Sequence, residues 1–163
     1  MSRAPQIAVV GAGTADEALA ASAAELGRRL AESGAVVVCG GLGGVMEAAA
    51  RGASNAGGTV IGIVPSAQPA DANPYCTHVV AAATGIARNL AVVASADAVI
   101  AIGGAWGTLS EIAHARQLRR PVIALGSWIL TPPAPLPEGD GIFEATDPVA
   151  AVQAALAAAG AGA

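Results

Sequence analysis

The chain contains no lysine, its eight basic residues all being arginine. A lysine Schiff base with pyridoxal phosphate, and decarboxylation through it, is therefore excluded. Aromatic residues are almost as scarce: Trp106, Trp128, Tyr75 and Phe143 are all of them. The interior must be built from small aliphatic side chains. Charge is thin, at 12% of residues with a formal net charge of −4, and no basic stripe is present, which speaks against nucleic acid as a partner. Arg28-Arg29 and Arg119-Arg120 each fall near the end of a predicted helix, where cations favour the macrodipole. The two cysteines, Cys39 and Cys76, have no companion Cys or His at zinc-ligand spacing. They read as free thiols in a reducing compartment, and no metal site is expected. Although 54% of the residues are hydrophobic, much of that is alanine, and no window approaches the ~18 apolar residues of a membrane span. No basic head with an apolar segment opens the chain. The expectation is a soluble, cytoplasmic protein that does not enter a membrane.

What is abundant is glycine, gathered in clusters that each follow a short apolar run. Ala98 to Ile102 is β-branched and unbroken, the pattern of a strand buried on both faces. It breaks into Gly103-Gly104-Ala105-Trp106-Gly107-Thr108, after which Leu109, Ile112 and Ala113 take up helical spacing. Strand, glycine turn and helix start in that order make an anion site, since bare backbone approaches the ligand and unpaired N–H groups point at it. A phosphate is expected over Gly104 to Thr108.

The same grammar recurs along the chain. Gln6 to Val10 leads into Gly11-Ala12-Gly13-Thr14, and Thr14 with Glu17 has capping-box spacing for a helix from about Ala15 to Ser33. Ala35 to Cys39 enters Gly40-Gly41-Leu42-Gly43-Gly44, followed by a helix over Val45 to Asn55 and a strand over Thr59 to Val64. Ser66 to Thr77 reads as a loop over the strand ends, His78 to Ala82 as a fourth strand and Thr84 to Ser95 as a helix. Pro121 to Leu125 makes a sixth strand, Thr131 to Gly141 is irregular, and Asp147-Pro148 caps and starts a last alanine-rich helix. Fraying is expected from Ala158. The alternation predicts an α/β fold: one domain over residues 1–163, a Rossmann-like, doubly wound and mainly parallel sheet of six or seven strands, helices on both faces.

Several residues carry chemical readings beside structural ones. Gly11-x-Gly13 invites a dinucleotide, but Asp16 stands where a third glycine belongs and Gly40-Gly41 where an acidic residue should close the second strand. The turn can still face a ligand at the strand ends, or be no more than a tight turn. Gly40, Gly41, Gly43 and Gly44 exceed what a turn requires, which suggests backbone passing close to a ligand or to the adjacent loop; Met46 reads as core. Arg88 lies near a helix start, where a cation opposes the macrodipole unless an anion is near, and Asn89 could donate beside it. Glu111 closes a capping box with Thr108, or reaches a sugar or water beside a bound phosphate. His114 and Glu111 alone are no metal site. Tyr75 and Trp106 could stack a heterocycle, and Trp106 could equally cover the core edge.

On these residues, from Ile7 to Leu125, the chain resembles the superfamily that joins Lonely Guy phosphoribohydrolases, often labelled lysine-decarboxylase-like, with molybdenum cofactor carrier proteins. The resemblance rests on Gly40 to Met46, Asn73-Pro74-Tyr75, Thr84-Gly85 with Ala87-Arg88-Asn89, and Gly103 to Glu111. The last matches the Pro-Gly-Gly-x-Gly-Thr-x-x-Glu signature with Ile102 in place of the proline. Asn89 stands where the phosphoribohydrolases carry lysine, so Asn-Pro-Tyr and Ala-Arg-Asn look closer to the carrier branch. The resemblance implies ligand or phosphate contacts from Gly11, Gly13, Thr14, Gly40, Gly41, Gly43, Gly44, Thr84, Gly85, Arg88, Asn89, Gly103, Gly104, Trp106, Gly107 and Thr108. It also implies a homodimer or higher homo-oligomer, with no cofactor needed for structure. Two functions stand open. One is binding or carriage of a phosphorylated nucleotide-like molecule or molybdopterin-type cofactor. The other is hydrolysis of a nucleoside 5′-monophosphate to free base and ribose 5-phosphate, with Arg88 and Glu111 catalytic.

Overall fold

In the computed structural model, which describes residues 3–137 and 141–161, the β-branched runs become strands and the alanine-rich stretches become helices. The order is β1 (Gln6–Gly11), α1 (Glu17–Glu32), β2 (Val36–Cys39), α2 (Val45–Asn55), β3 (Val60–Val64), β4 (His78–Ala81), α3 (Arg88–Ala94), β5 (Ala98–Ile102), α4 (Trp106–Gln117), β6 (Val122–Leu125), β7 (Phe143–Ala145) and α5 (Pro148–Ala161). Short 3₁₀ turns at Pro69–Asp71 and Gly85–Ala87 complete it. Every pairing among the strands of the described residues is parallel, and the sheet runs β4-β3-β2-β1-β5-β6-β7. This is the doubly wound α/β sheet that the alternation predicts.

Strand period sorts the core. In β1, Ile7 and Val9 face one layer, where they meet Leu26 and Leu30 of α1, Ala49 of α2 and Ala155 of α5. Ala8 and Val10 face the other, with Val92 and Val93 of α3 and Ile112 and Ala115 of α4. Successive side chains of a strand point to opposite faces, so a strand covered on both sides must be apolar throughout. Small residues let the helices close in: a Cβ added at Gly52 of α2 would run into the Ala24 carbonyl of α1, 2.7 Å from its carbon. Among the described residues, no helix is long and apolar enough to cross a membrane.

One local expectation is corrected, and three features add to the reading. Helix α1 starts at Glu17 with Asp16 as its cap, the Asp16 carboxylate accepting from the Leu19 N–H at 2.8 Å; an aspartate two residues after Thr14 takes the capping role, and the Thr14–Glu17 box does not form. Strand β7 has no sequence signature, being three residues, Phe-Glu-Ala, which among the described residues pair with β6 alone. Helix α5 extends to Ala161, with Ala155 and Ala159 packed into the core; residues 162–163 of the expected frayed tail lie outside the described residues. Arg29 lies in the last turn of α1, as expected, and Arg28 and Arg29 both also reach Glu25, with Arg28 reaching Glu32 as well.

The α1–α2 contact sets a clear stability test. Gly52→Ala should destabilise the fold by about 1–3 kcal/mol, the usual range for overpacking, read as a loss of several degrees in melting temperature. An unchanged melting temperature would contradict the close approach.

Candidate functional site

Between β1 and β5 the sheet reverses its winding: β1 feeds α1 on one face and β5 feeds α4 on the other. Loops that diverge this way leave a crevice at the carboxyl ends of the strands, the usual ligand position in such sheets. A cavity of about 150 Å³ opens there. Gly11, Ala12 and Gly13 wall one side, Ala105, Gly107 and Thr108 the other, and Met46, Arg88, Asn89 and Glu111 the rest. By helix geometry the first N–H groups of α4 have no intrahelical partner, and the positive end of that helix borders the cavity.

Arg88 opens α3 and, against the expectation for an arginine at a helix start, is 7% exposed; Glu111, one turn into α4, is 6% exposed. Their nearest approach is Nη1 to Oε1 at 3.7 Å. That is close enough for attraction and too long for a hydrogen bond. Arg88 Nε is buried without a hydrogen-bond partner. Burial pushes the Glu111 carboxyl up to about 7, with Arg88 pulling the other way. Burial likewise lowers the Arg88 guanidinium, which Glu111 and Cys39 offset. The cavity thus holds a cation whose ion-pair partner among the described residues stands no nearer than 3.7 Å, beside a carboxyl that burial pushes up to about 7.

The guanidinium lies where it does because Gly40 has no side chain. A Cβ there would strike Arg88 Nη1 and sit 2.8 Å from Cζ. Gly40 therefore acts through Arg88, lying beneath the guanidinium. Gly44 (φ 64°) folds the second glycine loop onto the first, where a Cβ would lie 2.5 Å from the Gly13 carbonyl carbon, and the Val45 N–H donates to the Ala12 carbonyl at 3.0 Å. The Gly41 carbonyl accepts from Asn73 N–H at 2.7 Å, and Asn73 Nδ2 donates to the Leu42 carbonyl at 3.0 Å. The Asn73-Pro74-Tyr75 segment thereby holds the loop from outside, and Tyr75 packs on the core.

The fold brings together Gly11, Gly13, Arg88, Asn89, Gly107, Thr108 and Glu111. It leaves Thr14 exposed, and Thr84 and Gly85 exposed at the 3₁₀ turn ahead of α3. Gly41 and Gly43 belong to the packed loop below, and Gly103 and Gly104 line a neighbouring hollow with Trp128. The capping reading of Glu111 is corrected: α4 begins at Trp106 with Ala105 as cap and no side-chain cap bond, so Thr108 is already helical and Glu111 faces Arg88. Asn89 Nδ2 donates to Ser110 Oγ at 3.1 Å, which ties α3 to α4 at the rim. Met46 packs in the core as the sequence suggests and also lines the cavity, Ala105 falls within the Gly104 to Thr108 stretch expected under a phosphate, and Ala12 carries no signal of its own beyond its glycine neighbours. Cys39 and Cys76, far apart in sequence, meet in the fold: the hydrogen bond between them, with burial, pushes the Cys39 thiol up, and the same bond lowers Cys76. Among the described residues, no three His, Cys, Asp or Glu side chains group as a metal site.

Comparison with known proteins places this geometry. The model of the SLOG cluster4 family matches residues 4–152. An uncharacterised protein of Archaeoglobus fulgidus is 42% identical over 139 residues, 85% of this chain and 87% of that protein. The molybdenum cofactor binding protein of the phototrophic bacterium Rippkaea orientalis superposes with a TM-score of 0.85 at 32% identity, over 96% of this chain and 98% of its own. The molybdenum cofactor carrier protein of Chlamydomonas reinhardtii gives 0.81 at 29%, over 95% and 98%. The resemblance read from the glycine turns and the Ala-Arg-Asn element thus holds at the level of superfamily and branch.

Glu111 makes stability pH-dependent in a defined sense. Its folded-state pKa of about 7 lies above the ordinary 4.5, so between those values the unfolded chain ionises while the folded one keeps its proton. Stability should fall as pH rises through that window and level off above it. Urea unfolding from pH 4 to 8 should show this slope in wild type and lose it in Glu111→Gln; equal slopes in both would contradict the burial.

Proposed function

The chain belongs to the SLOG cluster4 family, and from that premise we propose that it binds, and hands on, a phosphorylated pterin-type cofactor at the β1–β5 crevice. The observation that carries the reading is the buried Arg88, whose Nε lacks a partner. A buried charge without full compensation is costly to keep, and a phosphate supplies the missing acceptors in the charge-assisted geometry that guanidinium favours. The N–H groups of α4 would take further phosphate oxygens. A molybdopterin-type cofactor fits this donor set by its phosphate alone. The cavity of about 150 Å³ falls short of the roughly 300 Å³ at which whole-ligand pockets begin. The ring system would therefore lie outside it, reachable for transfer. The cofactor would bring its own metal chemistry; Arg88, the α4 turn and the Gly11–Gly13 loop would only hold it. The likeness to molybdenum cofactor binding and carrier proteins supports the same reading. It carries with it the expectation of a single-domain, cytoplasmic homo-oligomer.

One observation favours the phosphoribohydrolase reading. A carboxyl with pKa near 7, 3.7 Å from a guanidinium, is placed as a general acid or base. With a nucleoside monophosphate bound by its phosphate, Glu111 would stabilise an oxocarbenium-like ribose or take a proton from water. In the carrier reading the same carboxyl stays protonated beside the phosphate and adds no repulsion.

Arg88→Met keeps the stem and removes the charge. It should leave melting temperature equal or higher while weakening binding of a pterin monophosphate at least about tenfold, the scale of a charged hydrogen bond, measured by calorimetry. Undiminished affinity would dismiss the cradle. Incubation with AMP should release no ribose 5-phosphate; release at an enzyme-like rate that Glu111→Gln abolishes would establish the hydrolase instead.

A further inference from the structure

The two tryptophans come together on the far side of the strand-to-helix loop. Trp106, the first residue of α4, is 76% exposed and rests on Trp128, with ring centroids 5.4 Å apart and planes tilted by 31°. Trp128 is fixed three ways. Its ring packs on the core layer under α3 and α4, its indole N–H donates to the Ala105 carbonyl at 3.2 Å, and its neighbour Ser127 donates its hydroxyl to the Gly103 carbonyl. Trp128, on which Trp106 rests, lines a second hollow of about 360 Å³ together with Gly103, Gly104, Gly126, Ser127 and Ile129. Gly104 cannot carry a side chain, since its Cβ would fall 2.5 Å from Thr108 Cβ. The floor there stays bare backbone.

An indole left three-quarters in water sacrifices much of the apolar area it could bury. It is also held in place by a partner that is itself anchored, which is an arrangement for stacking a third ring. The hollow and the phosphate-sized cavity flank one loop: Gly103 and Gly104 line the first, Ala105, Gly107 and Thr108 the second. We propose that Trp106, backed by Trp128, is the stacking platform for a planar fused-ring nitrogen heterocycle, so that one ligand lies with its phosphate at Arg88 and its ring across the loop on the indole. This rests on the phosphate reading of Arg88 and adds to it the class of ring selected and the residue that selects it. Carbonyl and N–H groups of the Gly103–Gly104 and Gly126–Ser127 backbone can pair with the edge of such a ring, whereas Ile129, 58% exposed, offers it only apolar contact.

The chain has only these two tryptophans, so their fluorescence lifetime reports the platform directly, and calorimetry gives the affinities. Three probes separate the parts: neopterin monophosphate, GMP and ring-free ribose 5-phosphate. Wild type should bind the ring-bearing probes more tightly than ribose 5-phosphate and shorten the tryptophan lifetime saturably only with them. Trp106→Ala should weaken the ring-bearing probes by about tenfold or more, as losing an aromatic–base stack does, and lower their preference over ribose 5-phosphate by the same factor. Trp106→Phe, which keeps an aromatic face, should restore most of it. Which ring-bearing probe binds better tells pterin from purine, and either supports the platform. Equal affinity for ring-bearing and ring-free phosphates, or ring affinities untouched in Trp106→Ala, would overturn it. If ribose 5-phosphate fails to bind and the ring-bearing probes still depend on Trp106, the platform stands and the Arg88 cradle falls.

Discussion

A guanidinium held out of water with one of its nitrogens unmatched is the constraint from which the rest of this site follows. Arg88 is 7% exposed, its Nε has no partner, and its nearest counter-charge stands at 3.7 Å on a carboxyl that burial holds near neutrality. Folding alone gives little reason to keep such a pair, since replacing buried ions with apolar groups is often neutral or stabilising. A site that must take up an anion gives a strong one. The short β-branched strands, the helix start of α4 and the glycine loops then fit as parts that hold one charge at the sheet's reversal point and keep space open beside it.

The glycines divide by what they allow. Gly40 lets the guanidinium lie flat above it, and Gly44 lets the second loop fold on the first, so both act through other residues. Gly11, Gly13 and Gly107 border the cavity itself. Glycine-rich turns therefore build this crevice in two layers, an inner one meeting the ligand space and an outer one positioning the inner. The solved structures that this fold resembles include molybdenum cofactor binding and carrier proteins, and that likeness is one ground on which an anionic ligand larger than the cavity is proposed here.

Much of this was legible in the sequence because it is local. The strand over Ala98 to Ile102 and the helix over Val45 to Asn55 are predicted to the residue, since unbroken β-branched runs and a glycine cluster before an alanine-rich stretch leave few alternatives. Arg88 was singled out by a charge in the wrong place on a helix. What the sequence concealed was proximity: that Gly40 serves Arg88, that Glu111 faces Arg88 instead of capping α4, and that Trp128 meets Trp106. The start of α4 is hard to read because Ala105 caps it without a side-chain bond while Thr108 and Glu111 imitate a cap three residues later. Strand β7 is too short for any period to register.

The most direct measurement is a crystal structure grown with pyrophosphate. The account predicts an anion within hydrogen-bonding distance of the Arg88 guanidinium and of the first N–H groups of α4, with Glu111 remaining apart from the guanidinium. A cavity empty of anion, with Arg88 and Glu111 drawn into a closed bidentate pair, would contradict it.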